Sequence, residues 1–252
     1  MEQKSIFITG AASGIGKATA ITFAKEGWFV GLFDTNEDGL KQLADQIGSN
    51  VCYRKLDVTS YEQTEEGVAY FAEKTNNKMN VLFNNAGIMH MDFFDKISRN
   101  DHMKAINVNI VGVVNGVLAS LELLKNTPKS HIISMSSASA FYGTPELVTY
   151  SATKFFVRGF TEGLNLELEK YNITVSDLMP YYVKTPMIND QKYQANTVRK
   201  MGVNLTPEQI AKTVWKAAHK KKVHWVPANT IKNLISFIKL PFLGKTSMKW
   251  LS

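Results

Sequence analysis

Apolar residues along this chain fall into two alternating kinds of segment. Short β-rich runs at 4–9, 29–33, 51–56, 80–83, 131–135, 173–178 and 223–226 read as strands. Between them lie segments at 15–26, 38–47, 61–74, 100–124, 148–171 and 206–219 that read as helices. In the first of these, Ile15, Ala18, Ile21 and Phe23 recur at roughly helical spacing, and Gly27 suits the C-terminal cap. Runs such as Phe29–Phe33 are apolar throughout, as expected of strands buried on both faces. Strands alternating with helices predict an α/β fold, a parallel seven-stranded sheet covered by helices on both sides. Right-handed crossovers make it doubly wound, with ligands bound beyond the carboxyl ends of the strands.

Composition refines this picture. The chain has 252 residues, 44% hydrophobic and 20% charged, an ordinary globular balance. No repeat or low-complexity linker divides it. A main domain over residues 1–227 with a tail at 228–252 is the expected organisation. Its one cysteine, Cys52, excludes an internal disulfide framework and a multi-cysteine zinc site. The five histidines show no ligand spacing, so no metal is expected. Met1–Ser5 is polar and the apolar run after it is short, so no signal peptide is expected and a cytoplasmic location fits.

The net charge of +7 is unevenly placed. Glu208 is the last acidic residue, and nine of the 29 basic residues follow it. Residues 1–208 thus hold 20 basic and all 22 acidic groups, a net of −2. The excess lies at the C-terminus, where Thr230–Leu240 reads as an amphipathic helix stopped by Pro241. Two readings stand for 228–252: packing on the subunit or a neighbour, or contact with an anionic membrane surface. Nucleic acid is not an expected partner, because the lysines are not interleaved with a reader motif.

Three motifs carry chemistry. Gly10, Gly14 and Gly16 lie between the first strand and first helix, in Thr9-Gly10-Ala11-Ala12-Ser13-Gly14-Ile15-Gly16. Glycines there permit a tight turn and bring backbone N–H groups to a pyrophosphate at the helix N-terminus. Asp34 ends the second strand, 18 residues after Gly16. A carboxylate there accepts hydrogen bonds from ribose hydroxyls and repels a 2′-phosphate, which favours NAD(H) over NADP(H). The competing reading of Asp34 is a helix N-cap. Tyr150 and Lys154 share a helix face at i and i+4, where an ammonium lowers a phenol pKa and suits it to acid–base work.

Together these features resemble the short-chain dehydrogenase/reductase family over roughly residues 4–226. The ordered set is the Thr9–Gly16 motif, Asp57 after the third strand, Asn84-Asn85-Ala86-Gly87 after the fourth, Asn109, Ser137, and Tyr150 with Lys154. The resemblance implies a Rossmann-type sandwich and a homodimer or homotetramer built through the helices near 100–124 and 148–171. It implies cofactor contacts from Gly10, Ser13, Gly14, Ile15, Gly16, Asp34, Asp57, Val58, Asn85, Ala86 and Gly87. Tyr150, Lys154, Pro180, Val183 and Thr185 complete that set. It also implies a tetrad in which Tyr150 exchanges a proton with the substrate oxygen and Ser137 hydrogen-bonds that oxygen. Lys154 lowers the Tyr150 pKa and binds the nicotinamide ribose, and Asn109 holds a water on the proton path. Ser136 rivals Ser137, whose spacing to Tyr150 fits better. The chain departs from the family pattern at Pro180-Tyr181, where glycine usually follows proline. Residues 183–205 are expected to cover the substrate. Met89, Phe141, Tyr142, Tyr181, Met187, Tyr193 and Met201 suggest a hydrophobic alcohol or ketone. The alternative is a catalytically silent NAD sensor or scaffold, against which the intact tetrad speaks.

Overall fold

The computed structural model describes residues 3–227. The expected tail at 228–252 lies outside the described residues. Seven parallel strands form one sheet: β1 (Ser5–Thr9), β2 (Phe29–Asp34), β3 (Val51–Lys55), β4 (Val81–Asn84), β5 (His131–Met135), β6 (Thr174–Leu178) and β7 (His224–Trp225). Their order is β3-β2-β1-β4-β5-β6-β7. The order reverses between β1 and β4, which opens a crevice at the carboxyl edge.

Alternation along β1 shows why the sheet is covered on both sides. Ile6 and Ile8 join Val30, Leu32 and Phe83 in one core cluster. Phe7 faces the other way, stacked on Phe33 at 3.9 Å between centroids and edge-on to Phe71 at 5.5 Å. The first face is covered by α1 (Gly14–Lys25), α2 (Glu37–Ile47) and, much later in the chain, a helix over Pro207–Ala217. On the second face lie α3 (Tyr61–Lys74), the helix over Arg99–Lys125, and α6 (Val148–Leu168).

The helix over Arg99–Lys125 departs from the expected single α-helix. It runs as α4 (Arg99–Ile106), a π-helical turn (Asn107–Val111) and α5 (Gly112–Lys125). The π turn brings Asn109 to the protein interior, fully buried. Arg99–Lys125 is long and apolar enough to span a bilayer by those two measures alone. Its buried face nonetheless carries Asn109, Asn115 and Ser120, and α5 packs on α3 as part of the sandwich. On the outer faces Leu118 of α5 and Phe155 and Leu166 of α6 are exposed.

The segment expected as a covering loop at 183–205 contains two short helices, α7 (Pro186–Asn189) and α8 (Asn196–Met201). The last helix among the described residues, α9 (Pro207–Ala217), opens with a capping box: the Thr206 hydroxyl accepts from Gln209 N–H, and the Gln209 side chain accepts from Thr206 N–H.

Candidate active site

A cleft of about 840 Å³ opens at the carboxyl edge of the sheet. It reaches every residue expected for the tetrad and the cofactor contacts except Gly16 and Asn109, which stand behind its wall. One end is built from the turn between β1 and α1. Gly10 and Gly14 adopt left-handed backbone, φ 66° and 51°. A Cβ on Gly16 would lie 2.0 Å from the Gly10 carbonyl oxygen. Asn85, just past β4, clamps this turn by donating to the carbonyls of Thr9 and Gly10, each at 3.0 Å. The Thr9 hydroxyl accepts from the N–H groups of Asn85 and Ala86.

These glycines leave a cradle that fits a dinucleotide. The first turn of α1 has no acidic residue, and its N-cap Ser13 makes no side-chain cap. Its N–H groups therefore offer a positive end to an anion. Thr185 closes the same space from the opposite side, its methyl 3.2 Å from where a Gly14 Cβ would stand.

Asp34 is not a helix cap. That place is taken by Asn36, whose side chain accepts from Gly39 N–H. The Asp34 carboxylate accepts instead from the N–H groups of Ala12 at 3.1 Å and Asn36 at 3.0 Å. These bonds fix it on the cleft wall with lone pairs to spare. Asp57 holds Thr59 through one oxygen, which accepts from the Thr59 N–H and hydroxyl.

At the other end Tyr150 and Lys154 project from α6 into the cleft. The Lys154 Nζ lies 5.4 Å from the Tyr150 ring centroid and donates to the Met135 carbonyl at 2.8 Å. Burial with no carboxylate partner pulls the ammonium down to about 8. Burial pushes the Tyr150 phenol up to about 12, and a hydrogen bond with Ser137 works against that rise. At neutral pH the phenol is therefore protonated and able to donate.

The rivalry between the two serines is resolved by direction. The Ser136 hydroxyl is buried and donates to the Lys154 backbone carbonyl at 3.1 Å, whereas Ser137 pairs with Tyr150. Asn109 is held by three side-chain hydrogen bonds. Both its amide hydrogens are committed, to the Ile88 carbonyl at 2.9 Å and the Thr153 hydroxyl at 3.1 Å. Its oxygen accepts from Ile88 N–H at 2.9 Å. Thr153 in turn donates to the Tyr150 carbonyl at 2.7 Å. The side chain is thus a brace between the segment after β4 and the turn of α6 that carries Tyr150. Thr153 carried no signal in the sequence beyond its place beside Lys154.

The cleft is also lined by the bulky side chains of Met89, Phe141, Tyr142, Tyr181, Met187 and Met201, the residues expected to face a substrate. Tyr181 also packs on the core cluster of the first face. Tyr193, expected here, is absent from the cleft wall and donates its hydroxyl to Glu146 at 2.8 Å.

Comparison with known proteins identifies the family and the fold. The family model described as short chain dehydrogenase matches residues 4–196. The 3-oxoacyl-(acyl-carrier-protein) reductase FabG of Thermotoga maritima is 33% identical over 221 residues, spanning 85% of this chain and 89% of the relative. A short chain dehydrogenase/reductase from Burkholderia phymatum, solved in complex with NAD, superposes with a TM-score of 0.85 at 24% identity, over 94% of this chain and 92% of that one. An alcohol dehydrogenase from Thermococcus sibiricus, complexed with 5-hydroxy-NADP, superposes with a TM-score of 0.80 at 25% identity, over 89% and 96%. A fold, an ordered motif set and a family match over most of the chain coincide, and the protein belongs to the short-chain dehydrogenase/reductase family of oxidoreductases.

Proposed function

We propose that this protein is an NAD(H)-dependent oxidoreductase interconverting a lipophilic ketone and its secondary alcohol. The observation that carries the reading is the position of Tyr150, Ser137 and Lys154 where the glycine-lined cradle meets the apolar chamber. When bound, the nicotinamide cofactor supplies or accepts the hydride. In reduction, the protonated Tyr150 gives its proton to the carbonyl oxygen as negative charge develops there. Ser137 donates a hydrogen bond to the same oxygen. The Lys154 ammonium stabilises the phenolate that remains, which then regains its proton from solvent. The α1 N-terminus and Thr185 would hold the diphosphate, and Asp34 would hold the adenosine ribose. Oxidation of the alcohol is the same sequence reversed.

Asp34 supports NAD(H) over NADP(H). A carboxylate about 4 Å from a phosphate charge is repelled by about 4 kcal/mol at an effective dielectric of about 20. Salt and water screen part of that. NADH is therefore expected to bind at least about tenfold more tightly than NADPH, and Asp34→Ala to narrow the gap, as read by fluorescence titration. Tighter NADPH binding by the unaltered protein would contradict the role of Asp34. Turnover is tested with NADH against a panel of aliphatic, aromatic and polycyclic ketones and 3-oxoacyl thioesters. The apolar chamber predicts that activity rises with substrate hydrophobicity.

A further inference from the structure

Glu146 is a buried carboxylate that the proton-transfer group does not use. It lies in the turn before α6, four residues ahead of Tyr150, and only 5% of it is exposed. Its backbone is left-handed, φ 64°, a conformation disfavoured for any residue with a Cβ. Burial of a carboxylate and adoption of this backbone are both unfavourable alone, so its partners define what it does.

All the partners of its carboxylate lie in the segment covering the cleft. One oxygen accepts from the Tyr193 hydroxyl at 2.8 Å and the Asn196 side-chain amide at 3.2 Å. The other accepts from the Asn196 backbone N–H at 2.6 Å. The Glu146 main-chain carbonyl accepts from Asp92 N–H at 3.1 Å. Under this knot is a small apolar core of Met89, Met91, Leu147, Ile188, Ala195 and Val198, with Tyr150 packed against it. The covering segment is thereby seated on the start of the helix that carries Tyr150. Met187 and Met201, on either side of the knot, line the substrate chamber.

We propose that Glu146 is a positioning residue for the reaction, seating the segment 186–203 so that the apolar chamber holds the substrate carbonyl over Tyr150. The role rests on the oxidoreductase reading of the cleft. It acts on substrate binding and leaves the cofactor cradle alone, because none of its partners touches the glycine turn.

The test is Glu146→Gln, which keeps the size but turns an NH₂ group toward donors. Hydrogen bonds to a charged group are worth about 10- to 100-fold. The expected result is a KM for the best ketone raised at least about tenfold, with kcat within about threefold and NADH affinity within about twofold. Trypsin cleavage at the exposed Lys192 and Arg199 is expected to accelerate by about tenfold or more, as the seated form loses population. Tyr193→Phe removes one of the three carboxylate bonds and gives a smaller shift in the same direction, which keeps the proposal testable if Glu146→Gln folds poorly. An unchanged KM and cleavage rate would overturn the proposal. So would a parallel loss of NADH affinity and kcat, which would mark a general structural role. The proteolysis arm needs no turnover, so it tests the seat even if the substrate reading fails.

Discussion

Tyr150→Phe is expected to lower turnover by about 10³-fold, within the range of about 10² to 10⁴ typical of a removed general acid. The substitution removes one oxygen atom and leaves the ring, which packs against the apolar core under the covering segment. Ser137 and Lys154 remain in place, since Lys154 is anchored to the Met135 carbonyl independently of the phenol. The carbonyl oxygen would still meet a hydrogen-bond donor but no group able to release a proton to it. NADH affinity is expected to stay within about threefold, because the proposed phosphate and adenosine contacts lie at the other end of the cleft. Steady-state NADH consumption and a binding titration on the same preparation separate the two effects. Turnover like that of the unaltered protein would remove Tyr150 from the mechanism.

A second large effect is expected at Gly16. A Cβ there would stand 2.0 Å from the Gly10 carbonyl oxygen and 2.8 Å from the Asn85 Nδ2. The nearer contact is backbone, so no side-chain rotation relieves it. Gly16→Ala must push the first turn of α1 away from β1, at a cost of about 1–3 kcal/mol or more. That movement displaces the N–H groups that would hold the diphosphate. NADH affinity is expected to fall on the order of 100-fold, which is about 2.7 kcal/mol. Gly27 provides the control: its φ is 78°, yet a Cβ there meets nothing within 4 Å. Gly27→Ala is expected to lower stability by about 1 kcal/mol through backbone strain and to leave NADH binding intact. Thermal melts and NADH titrations of both variants make the comparison. Normal binding by Gly16→Ala would show that the turn does not form the cradle.

The contrast between these glycines indicates how far the sequence carries. Strands such as His131–Met135 are legible because burial on both faces leaves a short, nearly continuous apolar run, and helices such as Tyr61–Lys74 because burial on one face imposes a helical period. The glycine turn and Asp34 are legible because their chemistry is local, set by backbone freedom and by position after a strand. The π turn at Asn107–Val111 is not, since hydropathy gives the same helix with or without it. Its requirement comes from Asn109 reaching Ile88 and Thr153, 21 and 44 residues away. The polar Asn107, Asn109 and Asn115 within an apolar helix were the available sign.

Likewise α7 and α8 are too short to hold together on propensity alone and depend on tertiary contacts. The aromatic character of Tyr193 and its place in the covering segment suggest a part in the apolar chamber, but Glu146, 47 residues earlier, accepts its hydroxyl hydrogen. Nothing local to either residue announces that pairing.

The central claim is that the cleft transfers hydride to a carbonyl carbon, and isotope transfer tests it most directly. The protein is incubated with a ketone from the panel and NADH carrying deuterium at one or the other face of nicotinamide C4, and the alcohol is analysed by mass spectrometry. The account predicts deuterium on the carbinol carbon from one labelled face only, and none when Tyr150→Phe replaces the unaltered protein on the same timescale. Measurable NADH binding with no deuterium in any product, from either label and across the panel, would contradict it.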